Sequence, residues 1–141
     1  MQIREMNLKE LDKIYEIVKQ LRVELSFDEF DDLIYDMRHM EYKMIGLMEG
    51  ERLITFAGVA VQTNLYHKRH LYIFELVTDA KERQKGYAKE MLLYLQDYAK
   101  MAMCEHLILS QEDSLPSKWC EKYGFIKGRS LYSKKVEIGA L

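Results

Sequence analysis

The sequence predicts an α+β domain around a mixed sheet. Three observations predict it. Tyr42 to Met48, Leu53 to Val61 and Leu71 to Thr78 are apolar, β-branched runs of strand length. Apolar residues recur at helical spacing in separate stretches before and after them. The chain has 141 residues, seven glycines and one proline, with no repeat or linker, so residues 1–141 are expected to form a single domain.

Gln2 to Met6 reads as a first strand. Asn7 can cap the helix that follows, with Glu10 as its return partner. Leu11, Ile14, Val18 and Leu21 form that helix's apolar stripe. A second helix opens at Ser26, and Glu29 completes the S-x-x-E pattern. Phe30, Leu33, Ile34 and Met37 form its stripe. Glu49-Gly50-Glu51 reads as a hairpin turn between two strands, and Leu65 to His70 as a polar, aromatic connection. Leu71 to Thr78, broken only by Glu75, suits a central strand.

The loop Asp79 to Ala88 feeds a third helix, faced by Ala88, Met91, Leu92, Leu95, Ala99 and Ala102. His106 to Leu109 is a short strand. Asp113 or Ser114 caps a fourth helix with Pro116 in its first turn, and Gly124 stops it. Phe125 to Val136 reads as a last strand. The predicted order is β-α-α-β-β-β-α-β-α-β.

Composition excludes some functions. Lys and Arg number 21 against 23 Asp and Glu, a formal net charge of −2, so nucleic acid is a poor partner. Two cysteines, Cys104 and Cys120, make no disulfide framework, and no spaced ligand set suggests a metal. No run of about 18 apolar residues suggests a membrane span, and no secretory leader is seen. A cytoplasmic protein is the expectation.

Arg83-x-x-Gly86-x-Ala88 between a strand and a helix is the strongest single signal. The first N–H groups of a helix lack internal partners and sit at the positive end of its dipole. A diphosphate can accept several of them at once. Gly86 allows close backbone approach, and Arg83 and Lys85 add charge-assisted contacts, each worth on the order of 1.5–3 kcal/mol. The alternative is a glycine turn followed by a basic, solvated first turn.

Leu76-Val77-Thr78-Asp79-Ala80-x-x-Arg83-x-x-Gly86-Tyr87-Ala88 resembles the signature of the GNAT superfamily of N-acetyltransferases. Lys118-Trp119-Cys120-Glu121-Lys122-Tyr123-Gly124-Phe125 is similar to that family's downstream helix end. The resemblance runs through the whole chain in order and length. It implies a three-layer α/β/α fold with a splayed central sheet. It implies acetyl-CoA as cosubstrate, no metal, and direct transfer to an amine of a small molecule or peptide. Homodimers are common in such a family.

Residue by residue, the resemblance assigns Leu76, Val77 and Thr78 to pantetheine. It assigns Arg83, Gln84, Lys85, Gly86, Tyr87 and Ala88 to the pyrophosphate, and Ser117 and Lys118 to the thioester end. The Val77 N–H would polarise the thioester carbonyl.

Amines of pKa about 10.4 are neutral in only about one molecule in 10³ at pH 7, a handicap of roughly 4 kcal/mol. Glu75 is the candidate base, made a better one by partial burial. Its other reading is a carboxylate paired with Arg69 or Lys43, or facing solvent. Cys120 stands where the family carries a tyrosine that protonates the leaving thiolate. It is either a proton donor or a small buried hydrophobe.

Three further expectations concern the acceptor. His67 and His70 line its pocket, act as a base, or sit on a surface loop. The cluster Asp28, Glu29, Asp31, Asp32 and Asp36 is a solvated helix face. If it borders the cleft, it favours a cationic acceptor such as a polyamine, an aminoglycoside or a lysine side chain. A catalytically weak acyl-CoA sensor is the rival function. A toxin-like acetyltransferase on charged tRNA is disfavoured by the net charge.

Overall fold

The computed structural model describes residues 1–110, 115–128 and 132–139. Strand β1 (Gln2–Glu5) leads through a 3-10 turn at Leu8–Glu10 into α1 (Leu11–Leu21) and α2 (Phe27–Met37). Strands β2 (Lys43–Glu49), β3 (Arg52–Asn64) and β4 (Lys68–Thr78) follow, then α3 (Tyr87–Met101), β5 (His106–Leu109) and α4 (Ser117–Lys122).

Both predicted caps close their helices. The Asn7 side chain accepts from the Lys9 N–H, while Glu10 Oε1 accepts from the Asn7 N–H. At α2 the Ser26 hydroxyl accepts from the Glu29 N–H at 3.1 Å. The sheet runs β1-β2-β3-β4-β5. The first four strands pair antiparallel, and β4 pairs parallel with β5. Two cores result, one on each sheet face. Ile14, Val18, Phe30 and Ile34 from α1 and α2 pack on Met44, Phe56 and Val77. Met91, Leu95 and Ala99 from α3 pack on Ile45, Ala57, Leu71, Ile73 and Leu76. The layers are therefore α/β/α, as the motif resemblance implied.

Three features differ from expectation. The β3–β4 hairpin is longer, with pairing from Thr55↔Thr78 out to Asn64↔Lys68, so only residues 65–67 turn. Asn64 Oδ1 makes that turn by accepting the Tyr66 and His67 N–H groups. Pro116 precedes α4 as its N-cap; the predicted caps Asp113 and Ser114 lie outside the described residues. The last strand, Phe125 to Val136, is absent over residues 125–128 and 132–136, and the remainder lies outside the described residues. Alternating apolar residues make a strand only where a neighbour accepts its ladder, and here Ile126, Tyr132 and Val136 are exposed.

The β1–α1 junction is held by Arg4 and Glu10, whose bidentate contacts measure 3.0 and 2.7 Å. That guanidinium, helped by the Asn7 N–H, holds the Glu10 carboxyl below its ordinary range against a partial burial penalty. A depressed carboxylate stabilises the fold above its unfolded pKa and stops doing so as pH falls through its folded value. Glu10→Gln should therefore cost about 1 kcal/mol at neutral pH. The cost should shrink as pH falls below the ordinary carboxylate range, as urea denaturation at neutral and acidic pH will show.

Candidate active site

Strand β4 carries the site, because its pairing changes along its length. With β5 it is in register only from His70↔His106 to Ile73↔Leu109. It then continues to Thr78 against β3 alone, among the described residues. In an antiparallel ladder, alternate residues turn their peptide groups away from the partner. Over residues 74–78 those groups face the side that β5 has left. Leu76, Val77 and Thr78, expected to serve pantetheine, lie on this stretch of β4.

A β-bulge sits at the same place. Gly58 pairs with Glu75 and Val59 with Ile73, so Phe74 is an extra residue in β4. Before the bulge Leu71 and Ile73 point to the α3 core, and strict alternation would send Glu75 there too. After it Leu76 faces α3 and Val77 faces α1 and α2. The extra residue thus turns Glu75 toward α1 and α2.

There the Tyr42 hydroxyl, just before β2, donates to Glu75 Oε1 at 2.6 Å. Tyr42 is buried, and desolvation and then the Glu75 charge push its phenol well above the ordinary tyrosine value. It keeps its proton and its donor role throughout neutral and mildly alkaline pH. Gly58 makes room for the pair, since a Cβ there would collide with the Tyr42 hydroxyl and Glu75 Oε1. Of the two cations considered as partners for Glu75, Lys43 lies 3.7 Å from Glu5, and Arg69 Nε donates to the Ala102 carbonyl.

Glu75 opens into a cavity of about 160 Å³ between α1, α2 and the sheet. Its apolar lining is Val18, Leu25, Phe30, Leu33, Ile34 and Met37; its polar lining is Tyr42, Glu75 and Arg22. The acidic residues of α2, Asp28, Glu29, Asp31, Asp32 and Asp36, are exposed and do not line it. His70 is buried at the far end of β4 with Nδ1 2.9 Å from the Lys68 carbonyl. His67 stacks edge-on to it, so neither histidine belongs to the cavity.

The loop after β4 is tied down before α3 begins. The Asp79 N–H donates to Ile54 O, and Gln20 of α1 accepts the Ala80 N–H at 2.9 Å. Arg83 Nε donates back to the Thr78 carbonyl. Gln84 and Gly86 both take positive φ, +64° and +87°. Gly86 is the N-cap of α3, and no side chain caps the helix. Where Ser or Asp would occupy the first-turn N–H groups, glycine leaves them for a bound anion.

Lys85 is already paired with Glu82 at 2.8 Å, and Arg52 reaches the same carboxylate at 2.8 Å. Those hydrogen bonds lower the Glu82 carboxyl and raise the Lys85 ammonium. The backbone is therefore the preorganised part of the cradle. A diphosphate fits it, since an uncapped helix start and a glycine at φ +87° meet the steric and electrostatic needs together.

On α4, Ser117 and Lys118 are exposed and Cys120 is half-buried. Burial raises the Cys120 thiol above its ordinary value. Among the described residues no group of three or more His, Cys, Asp or Glu is arranged to hold a metal, and no helix is long and apolar enough to cross a membrane.

The sequence profile of the Acetyltransferase (GNAT) family matches residues 11–125. The chain belongs to that family. It is an acyl-CoA-dependent N-acetyltransferase. It is 29% identical over 126 residues to the uncharacterized N-acetyltransferase YhdJ of Bacillus subtilis, over 86% of this chain and 89% of that protein. In fold it is similar to the aminoglycoside 6'-N-acetyltransferase AAC(6')-IG of Acinetobacter haemolyticus, with TM-score 0.78 and 14% identity over 97% and 100% of the two chains. The aminoglycoside N-acetyltransferase AAC(6')-Iy, solved in complex with CoA, gives TM-score 0.77 and 18% identity over 95% and 93%.

Tyr42, Gly58, Gln20 and Arg22 escaped the sequence reading. Gly58 left a signal, since glycine inside an apolar strand marks a bulge or a close approach. Gly58→Ala should destabilise this GNAT chain by about 1–3 kcal/mol through overpacking. Urea unfolding of the variant measures it.

Proposed function

We propose that the chain moves an acetyl group from acetyl-CoA directly to the nitrogen of a small-molecule or peptide amine, with Glu75 as general base. One observation carries this reading. The bulge puts a single tyrosine-anchored carboxylate where the open edge of β4 meets a cavity.

Each part of the chain has a task. The N–H groups opening α3 at Gly86, Tyr87 and Ala88, with Gln84 and Lys85 before them and Arg83 beside them, hold the diphosphate. The peptide groups of Leu76, Val77 and Thr78 align pantetheine along the edge as a short strand would. Acetyl-CoA supplies the activated acyl thioester. A backbone N–H near Val77 faces the charge that develops on the carbonyl oxygen. Glu75 takes the amine proton, directly or through one water, as the nitrogen bonds to the acyl carbon and the carbon–sulfur bond breaks. Holding both reactants together makes a covalent enzyme intermediate unnecessary.

Tyr42 is a positioning residue, fixing the Glu75 rotamer while staying protonated. Cys120 has a weaker role than the motif position suggested. Its raised thiol pKa makes it a poor acid for another thiolate. The departing sulfur is protonated instead by the proton that the amine released.

Thiol release from acetyl-CoA against a panel of amines tests the reading. Glu75→Gln should lower kcat by a factor on the order of 10²–10⁴ with CoA affinity unchanged. Cys120→Ala should change kcat by less than about tenfold, the lower limit of what general acid catalysis supplies. Tyr42→Phe removes a bond to the charged form of Glu75, so the acid limb of kcat/KM should move to higher pH. Gly86→Val, checked for folding by circular dichroism, should weaken CoA by at least about tenfold, or 1.4 kcal/mol. Turnover that survives Glu75→Gln undiminished would remove the base from the proposal.

A further inference from the structure

We propose that the cavity beside Glu75 selects a monoamine carrying one compact apolar substituent, about the size of a benzene ring or a branched five-carbon chain. This substrate class rests on the acetyl-transfer reading above and narrows it.

The size follows from the space. The cavity holds about 160 Å³. An apolar cavity of about 150 Å³ lined by Leu, Ile and Phe stays dry and takes benzene. Leu25, Phe30, Leu33, Ile34 and Met37 supply such a lining here. An aminoglycoside such as kanamycin, three glycosidically linked rings bearing several amino and hydroxyl groups, is larger than that volume.

The charge balance points the same way. The lining holds one carboxylate, Glu75, and one guanidinium, Arg22. There is no excess of negative charge to draw in a polycation. A second ammonium placed among Phe30, Leu33 and Ile34 would lose its hydration without gaining a partner. The acidic residues of α2 lie on its solvent face, because the stripe Phe30-Leu33-Ile34-Met37 takes the inner one. They do not compensate such a charge from outside the wall.

The lining also orients the substrate. An apolar substituent seated against α2 leaves its nitrogen as the only group that gains from Glu75. That end is presented toward the open edge of β4. Met37 is unbranched and half-buried, so it adjusts to aromatic or aliphatic substituents of similar volume.

The test uses the full chain with CoA present. Phenethylamine and isoamylamine are compared with spermidine, kanamycin and a lysine-bearing peptide. Binding is followed by calorimetry, and turnover by thiol release from acetyl-CoA. The expected result is that both apolar monoamines bind, and that their kcat/KM exceeds that of each comparator at least tenfold. Binding of the apolar monoamines without turnover would support the pocket assignment while defeating the acetyl-transfer reading. Equal or better use of spermidine, kanamycin or the peptide would overturn the assignment, as would failure of both monoamines to bind.

A variant gives a second readout. Leu33 lines the cavity but is 46% exposed, so Leu33→Asp is compatible with folding. It should lower kcat/KM for phenethylamine at least tenfold and raise it for spermidine. An unchanged ratio would also overturn the assignment.

Discussion

One extra residue in β4 decides which face of the sheet Glu75 takes. A strand alternates its side chains between two faces, so the parity of Glu75 is set by every residue before it. Phe74 breaks that parity. Without it the carboxylate would be driven into Ile73, Leu76 and the apolar side of α3, with no partner and no water. With it Glu75 meets Tyr42 and the cavity. A bulge needs room on the opposite strand, and Gly58 supplies it by having no Cβ. Glu75, its tyrosine partner and the space for both thus come from three strands or strand ends, around one ladder irregularity.

The anion loop obeys a different constraint. Its cations are not waiting for a ligand, since Lys85 and Arg52 are held by Glu82, and Arg83 braces the end of β4. These exposed pairs stabilise little by themselves, because water screens them. Their effect is to fix a loop whose backbone must hold positive φ at Gln84 and Gly86. Non-glycine residues pay on the order of 1–2 kcal/mol for that conformation. Gln20 and Arg52 hold it from α1 and β3. In the proposed function the diphosphate meets peptide N–H groups that the loop already holds in place.

Much of this was legible in the sequence because it rests on local rules. Asn7 with Glu10 and Ser26 with Glu29 mark helix starts through bonds spanning three residues. The periodicity of α1, α2 and α3 found their buried faces. Gly86 before an amphipathic run marked the start of α3. What escaped depends on distant pairing. The face of Glu75 follows from register against Gly58, 17 positions earlier in the chain. Tyr42 reaches Glu75 across 33 positions. The polar ends of β3 and β4 read as a connection because an exposed hairpin has no apolar face to reveal it. The same local rule overreached at Phe125 to Val136, where alternation alone does not provide a partner strand.

The charge of α2 shows why composition misleads about a site. Five acidic residues in nine positions invite the idea of a cationic acceptor, and the helix does lie beside the cavity. Yet a helix that buries Phe30 and Ile34 must turn its intervening residues outward. The carboxylates are consequently solvated, and salt screens what reaches past the helix. The cavity instead sees one carboxylate, placed by a bulge, and one guanidinium, Arg22. Charges lining the cavity are nearer to whatever occupies it than the five on the outer face, so they weigh more there. The inner stripe of α2 and Glu75 line the same small volume, and the proposed selectivity rests on them.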